Sequence, residues 1–260
     1  MIRFLKCVGA AILLSFFSSF TMVGSATAGI TLSGSEYFQN FNGIGSGLPT
    51  GVSLSQVANS TAAPWGISRN LRGSGTTFSH VGWTDATSDF RNSASPTGSD
   101  SSANADRLIA VRQGTTTGIT TPSFAFSFNN TAGLSDFKLD FDFWVLQKNN
   151  RNTTWTIRWA THSSITTFTT ISTVTPTSSG KIELRNLAFG AAFGNSNEAK
   201  YIQIVATGLS GSGTDTRDVV GLDNFRLKFT PQAVPEPTSG FLVGLLAIGF
   251  ASLRPSRLHS

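Results

Sequence analysis

The chain has 260 residues, 39% of them hydrophobic and 13% charged, with a formal net charge of +5. A single core is feasible at that length. One cysteine, Cys7, excludes a disulfide framework, and scattered Lys and Arg with no recognisable binding module exclude nucleic acid as the expected partner. The chain opens with Arg3 and Lys6, then an uncharged apolar or small-residue run from Val8 to Val23, then Ala26-Thr27-Ala28. That order is the secretory signal arrangement, with cleavage expected after Ala28. Its partners would be the secretory translocon and signal peptidase, and residues 1–28 stand outside the folded body. Cys7 lies in the basic n-region, so it argues against a lipoprotein signal, and the mature chain would hold no thiol.

The body, residues 29–230, reads as short strands separated by turns. Ile30–Leu32 and Tyr37–Asn42 come first, and Val52–Val57 follows a turn-rich stretch ending at Gly51. Ala58–Trp65 reads as a short helix or loop, Ser93–Ala105 as a polar loop and Asp106–Arg112 as a strand. The clearest pattern is central. Phe124, Phe126 and Phe128 share one face of Pro122–Phe128, and Phe137, Leu139, Phe141, Phe143 and Val145 share one face of Leu134–Gln147. Asp136, Lys138, Asp140 and Asp142 take the opposite face, because a period of two sends successive side chains to opposite sides. Lys148–Asn152 is the expected turn before a strand in which Trp155, Ile157 and Trp159 point to the core. Thr166–Val174, Lys181–Leu184, Tyr201–Ala206 and Asn224–Phe229 are further strands, and Leu187–Phe193 a short helix or loop. The expectation is an all-β, antiparallel β-sandwich with jelly-roll-like topology.

The chain closes with a Pro-containing linker at 231–239, a hydrophobic segment at 240–253 and a basic tail at 254–260. As a helix, the hydrophobic segment spans about 21 Å, less than the roughly 30 Å core of a bilayer. Pro235-Glu236-Pro237, the glycine-bearing stretch Phe241–Leu253 and the terminal Arg254 and Arg257 resemble the PEP-CTERM sorting signal of Gram-negative bacteria. The resemblance implies a transmembrane helix serving as a temporary inner-membrane anchor, and recognition and removal by an exosortase-type enzyme. Pro255 and Ser256 split what is often a tight arginine cluster in that family. Setting both ends aside removes Arg3, Lys6, Arg254, Arg257 and Glu236, and the body becomes nearly neutral. The body is also loosely similar to β-rich exported domains, through Phe38–Asn42, Asp106-Arg107 and Gly221–Leu227, and the last run resembles the closing strand of jelly-roll carbohydrate-binding modules.

Chemistry is sparse. His80, His162 and His259 form no metal motif. His80 with Asp85 or Asp89 could join a serine triad, or simply lie in a polar surface loop. Asp140 and Asp142 lie about 6.6 Å apart along one strand face, a spacing compatible with a glycosidase pair and equally with a solvated outer face. Asp223 falls in phase with Phe225, Leu227 and Phe229. An inward carboxylate there needs a partner, either structural calcium shared with Glu36 or the adjacent Gly221 turn. Trp144, Trp83 and Tyr37, with Trp65, are the aromatics available to stack on sugar. The leading expectation is an exported, exosortase-processed surface or extracellular-matrix protein, without evident catalytic activity. The alternatives are a carbohydrate-binding module acting on envelope or matrix polysaccharide and, third, a glycoside hydrolase.

Overall fold

The structure is a computed structural model and describes residues 29–56, 67–69, 71–72, 90–94, 106–114, 121–164, 167–209 and 217–233. In chain order the strands are β1 (Glu36–Gln39), β2 (Val52–Gln56), β3 (Ile67–Arg69), β4 (Leu71–Arg72), β5 (Phe90–Ala94), β6 (Arg107–Arg112) and β7 (Pro122–Phe128). They continue with β8 (Leu134–Gln147), β9 (Thr153–Thr161), β10 (Thr169–Val174), β11 (Gly180–Ala188), β12 (Lys200–Leu209) and β13 (Val219–Pro231). Among the described residues these strands form two sheets. The first runs β11–β8–β13–β6–β5–β4, with β1 also paired to β13, and the second runs β10–β9–β12–β7–β2–β3. All the ladders are antiparallel except β4–β5. The chain is therefore the expected all-β sandwich of jelly-roll kind.

The alternating residues seen in the sequence make the core. Phe124, Phe126 and Phe128 of β7 face Phe137, Leu139, Phe141, Phe143 and Val145 of β8, with Trp155, Ile157 and Trp159 of β9 and Phe225, Leu227 and Phe229 of β13 in the same cluster. Phe126 and Phe225 stack across the two sheets with centroids 3.7 Å apart and planes 10° from parallel. Phe41 leaves the strand pattern with a φ of 57° and plugs into this core, so the strand expected over 37–42 ends at Gln39. Three strands, β3, β4 and β5, were not expected, and Ser93 and Ala94 belong to β5 rather than to a polar loop. The last strand begins at Val219, five residues before the expected Asn224, and runs to Pro231. Within Leu187–Phe193, β11 continues to Ala188 and a single 3-10 turn covers Ala191–Phe193.

The expectation of a transmembrane helix is corrected: among the described residues no helix is long and apolar enough to cross a membrane. The segment that prompted it, residues 240–253, lies outside the described residues, as does the apolar run of the secretory signal at 8–23. So do the other end and loop assignments: Ala26, Ala28, Pro235, Glu236, Pro237, Arg254, Arg257 and His259, and also Trp65, Trp83, His80, Asp85 and Asp89.

Two bulges position the site. On β13 the register against β8 slips between Asp223 and Arg226, and Asn224 takes a φ of 50°. An inserted residue shifts the phase of the strand. Leu222 and Phe225 both reach the core, three residues apart, so Asp223 is turned outward to sit opposite Asp142. This corrects the expected inward phase of Asp223. On β11 the register slips between Leu184 and Leu187, with Asn186 at a φ of 54°.

Candidate functional site

The outer face of the first sheet carries the charged half of the β8 alternation. Asp140 and Asp142 are cross-strand neighbours of Arg226 and Asp223 on β13, and Glu183 on β11 lies opposite Asp142. Phe38 of β1 lies opposite Arg226. Phe38, Asp140, Asp142, Arg185, Asn224 and Arg226 line a cleft of about 260 Å³. Phe38 is the one large hydrophobic side chain exposed among the described residues, at 43%.

The bulges supply the polar contacts. The Arg185 guanidinium pairs with the Asp142 carboxylate and donates to the Phe141 carbonyl at 2.7 Å. Asn224 Nδ2 donates to the other Asp142 oxygen at 3.0 Å. The freed Asn186 N–H donates to Asp140 Oδ1 at 2.6 Å, and Lys228 Nζ reaches Asp140 Oδ2 at 2.5 Å. Arg226 lies with its Cζ 4.8 Å from the Phe38 ring centroid and its Nη1 3.7 Å from Glu36. Both carboxylates are buried at their bases, Asp140 at 8% and Asp142 at 5% exposed. The expectation of a solvated outer face is thus corrected: the two acids are sunk into a lattice of arginine, lysine and asparagine.

Burial works to raise the Asp140 pKa, but the Asn186 N–H, the Lys228 bond and charge, and Arg185 outweigh it and hold the carboxyl below its usual range. The proton donor of a hydrolytic pair needs a raised pKa, and Asp140 is shifted the other way. Asp223 shows the opposite shift. Burial pushes it up to about 7, with the neighbouring charges of Asp106 and Asp142 adding to the effect and the Asn224 N–H and Lys181 opposing it. It is 1% exposed and does not line the cleft.

The remaining sequence candidates separate. Trp144 is half-buried on the same outer face, two residues past Asp142, with Lys181 Nζ 5.9 Å from its ring centroid. It packs beside Leu108, Ala110 and Val219. Tyr37 is corrected from sugar platform to core ring: it packs edge-on against Phe128 at 5.9 Å and Phe225 at 6.3 Å. Glu36 pairs with Lys228 in register, five residues from Asp223 and so roughly 15 Å along the strand. The two carboxylates proposed to share calcium are not brought together, and no group of three or more His, Cys, Asp or Glu among the described residues could hold a metal. His162 sits after β9 in the other sheet, with Nδ1 3.0 Å from the Tyr201 hydroxyl.

Sequence reasoning did not reach Phe38, Arg185, Asn224 and Arg226 as site residues. One signal was available for Phe38. Adjacent aromatics in a strand cannot both point inward, so Tyr37-Phe38 had to place one ring outside.

No family model matches the chain, and no curated protein matches it. Among solved structures it weakly resembles a tandem CBM22 domain of Paenibacillus barcinonensis Xyn10C, with 11% identity and a TM-score of 0.38, over 83% of this chain and 50% of that one. It resembles a xylan-binding domain of CBM 22 at 13% identity and a TM-score of 0.37, over 60% and 95% of the two chains. A third similar structure is the enzymatically active domain of bacteriophage CBA120 tailspike protein 4, at 11% identity and a TM-score of 0.35. That match covers 69% of this chain, which spans only 19% of the tailspike.

Proposed function

We propose that this chain is a carbohydrate-binding module whose ligand is an uncharged saccharide held in the Phe38–Asp142 cleft. The observation that carries this reading is the exposed Phe38 ring beside a fixed array of planar polar groups. A sugar ring presents C–H groups on its faces and hydroxyls at its edges. Phe38 suits the first, and Asp142, Arg185 and Asn224 suit the second, accepting from and donating to neighbouring hydroxyls.

The charges favour a neutral ligand. Lys181 and Arg185 pair with Glu183 and Asp142, Lys228 with Asp140, and Arg226 with Glu36. Among the residues lining this cleft, an anionic sugar would meet no cation without a carboxylate partner and would have to displace a carboxylate already in place. Full-length chain on an array of neutral and uronate-containing polysaccharides should bind the neutral ones, with little loss of affinity at high salt, since no net charge is neutralised. Phe38→Ala should weaken binding measured by calorimetry by about tenfold or more. Absence of binding to any neutral polysaccharide, or unchanged affinity in Phe38→Ala, would overturn the reading.

We also propose that the protein is exported and sorted at its C-terminal side. Arg3, Lys6 and the run to Ala28 have the secretory pattern, and Pro235-Glu236-Pro237 resembles a sorting motif read by an exosortase-type enzyme. This would place the module at the cell surface or in the extracellular matrix, where polysaccharide is abundant. Replacing Pro235 and Glu236 with Ala should raise the intact mass of the cell-associated product by the length of an uncut C-terminal segment. A product of unchanged mass and location rules the sorting role out.

A further inference from the structure

The outer face of the first sheet holds a second cavity, of about 440 Å³, whose walls include Asp136, Lys138, Ala188, Ala191, Asn195 and Gln232. Its wall residue Lys138 stands two residues along β8 from Asp140 of the Phe38–Asp142 cleft. Lys138 and Asp140 are successive outward positions of β8, about 6.7 Å apart. Lys138 pairs in register with Ala188 on one side and Lys228 on the other, and Lys228 Nζ bonds back to Asp140. Lys138 on the wall of the second cavity and Asp140 on the wall of the first are thus neighbours along β8, with Lys228 opposite the one and bonded to the other.

The irregular backbone follows the same line. Asp136, Asn186 and Asn224 have positive φ values of 52°, 54° and 50°. The strands flanking β8 slip register beside it at Leu184/Leu187, Asp223/Arg226 and Lys228/Thr230. Each slip turns a flat ladder into a local hollow, because a bulge bends its strand and redirects side chains. Beyond Ala188 the chain continues along β8 instead of turning away: the Phe189 N–H bonds to the Phe137 carbonyl and the Asn195 N–H to the Leu134 carbonyl. Phe193 anchors that segment in the core, which leaves Ala191 exposed at the rim.

We propose that the two cavities are successive subsites of one track, and that the ligand is an internal run of a linear polysaccharide lying along β8. The proposal rests on the saccharide-binding reading of the first cleft and adds the size and form of the ligand. From Leu134 to Asp142 the track covers about 27 Å of strand, long enough for several sugar units. The second cavity offers the amides of Asn195 and Gln232 and the ends of Asp136 and Lys138 for hydroxyl contacts. Its one aromatic wall, Phe137, is buried in the core, so the cavity extends binding by hydrogen bonds, while Phe38 remains the stacking anchor.

Calorimetry of the full chain with neutral β-1,4-linked gluco-, xylo- and galacto-oligosaccharides, from disaccharide to hexasaccharide, tests this. For the series that binds, affinity should rise about tenfold or more with length as the second subsite fills. Ala191→Trp, or Ala188→Trp at the end of β11, should obstruct the second cavity. Either should bring the hexasaccharide down to the disaccharide's affinity and leave the disaccharide's unchanged, whereas Phe38→Ala should weaken both. Equal affinity at all lengths, or a tryptophan variant that binds hexasaccharide as the parent does, overturns the track and leaves the single cleft standing. Absence of binding at every length overturns the cleft reading with it.

Discussion

Phe225→Ala should lower the stability of the fold by about 3–5 kcal/mol, the range for emptying a buried aromatic site. The ring is fully buried and stacks on Phe126 from the opposite sheet. It is also a T-shaped neighbour of Tyr37, so one truncation removes contacts to β7 and β1 together. Backbone ladders on both sides of β13 resist collapse into the hole, which puts the cost toward the upper part of the range. For a body of this size each kcal/mol moves the melting temperature by roughly 2–4 °C, so the midpoint should fall on the order of 10 °C. Phe126→Ala should do the same. The double variant should lose less than the sum, by roughly 0.5–1.5 kcal/mol for a stacked pair. Phe38→Ala is the internal control, with a melting point within a degree or two of the parent, because that ring is exposed on the other side of the sheet. A Phe225→Ala midpoint as high as the control's would contradict the central position of the stack.

Strict alternation explains why some elements are legible in the sequence and others are not. β7, β8 and the second half of β13 carry runs of phenylalanine, leucine or valine at alternate, inward positions and a polar or small residue at most outward ones, so period two is visible without a structure. β3 and β4 are too short to show a period. The first half of β13 is hidden because Val219, Val220, Gly221 and Leu222 are apolar or small on both faces. Its outward side is packed too: a Cβ on Gly221 would come within 2.4 Å of the Leu108 side chain.

The site is half legible for a related reason. Asp140 and Asp142 announce themselves by position within the alternation. Their partners do not, because they arrive through bulges that break it. Arg185 precedes Asn186, and Asn224 follows Asp223, and in both cases an asparagine takes the left-handed conformation that it tolerates better than most residues. An asparagine interrupting an otherwise alternating strand was the available sign of a bulge. The phase error at Asp223 is the direct result of reading through that interruption. It also removes the basis for calcium: strict alternation puts the carboxylate inward beside the first strand, whereas the bulge turns it toward Asp142.

That same rotation leads to the second large effect. Asp223→Asn should abolish a fall in stability between acid and neutral pH. In the folded chain Asp223 titrates near 7, against an ordinary value of 3.8. Below 3.8 both states are protonated there and the residue is neutral in the balance. Between 3.8 and 7 the unfolded chain has lost the proton and the folded chain keeps it. Folding then binds a proton, and stability drops by up to about 1.4 kcal/mol per pH unit. Above 7 both are ionised and the full penalty, of order 4 kcal/mol, is present. Asp140 acts in a different window. Its pKa is depressed, so its stabilisation is complete above the ordinary carboxylate value and is lost only in stronger acid. The interval from pH 5 to 8 therefore reports mainly Asp223 among the two. In the variant the amide oxygen can still accept the Asn224 N–H that now reaches Asp223 Oδ1 at 2.7 Å, and there is no charge to desolvate. Thermal melts should show the parent clearly less stable at pH 8 than at pH 5. The variant should lose most of that difference and melt several degrees above the parent at pH 8. Equal slopes in the two proteins would mean that Asp223 is ionised in the fold, with a partner strong enough to offset its burial beside Asp142.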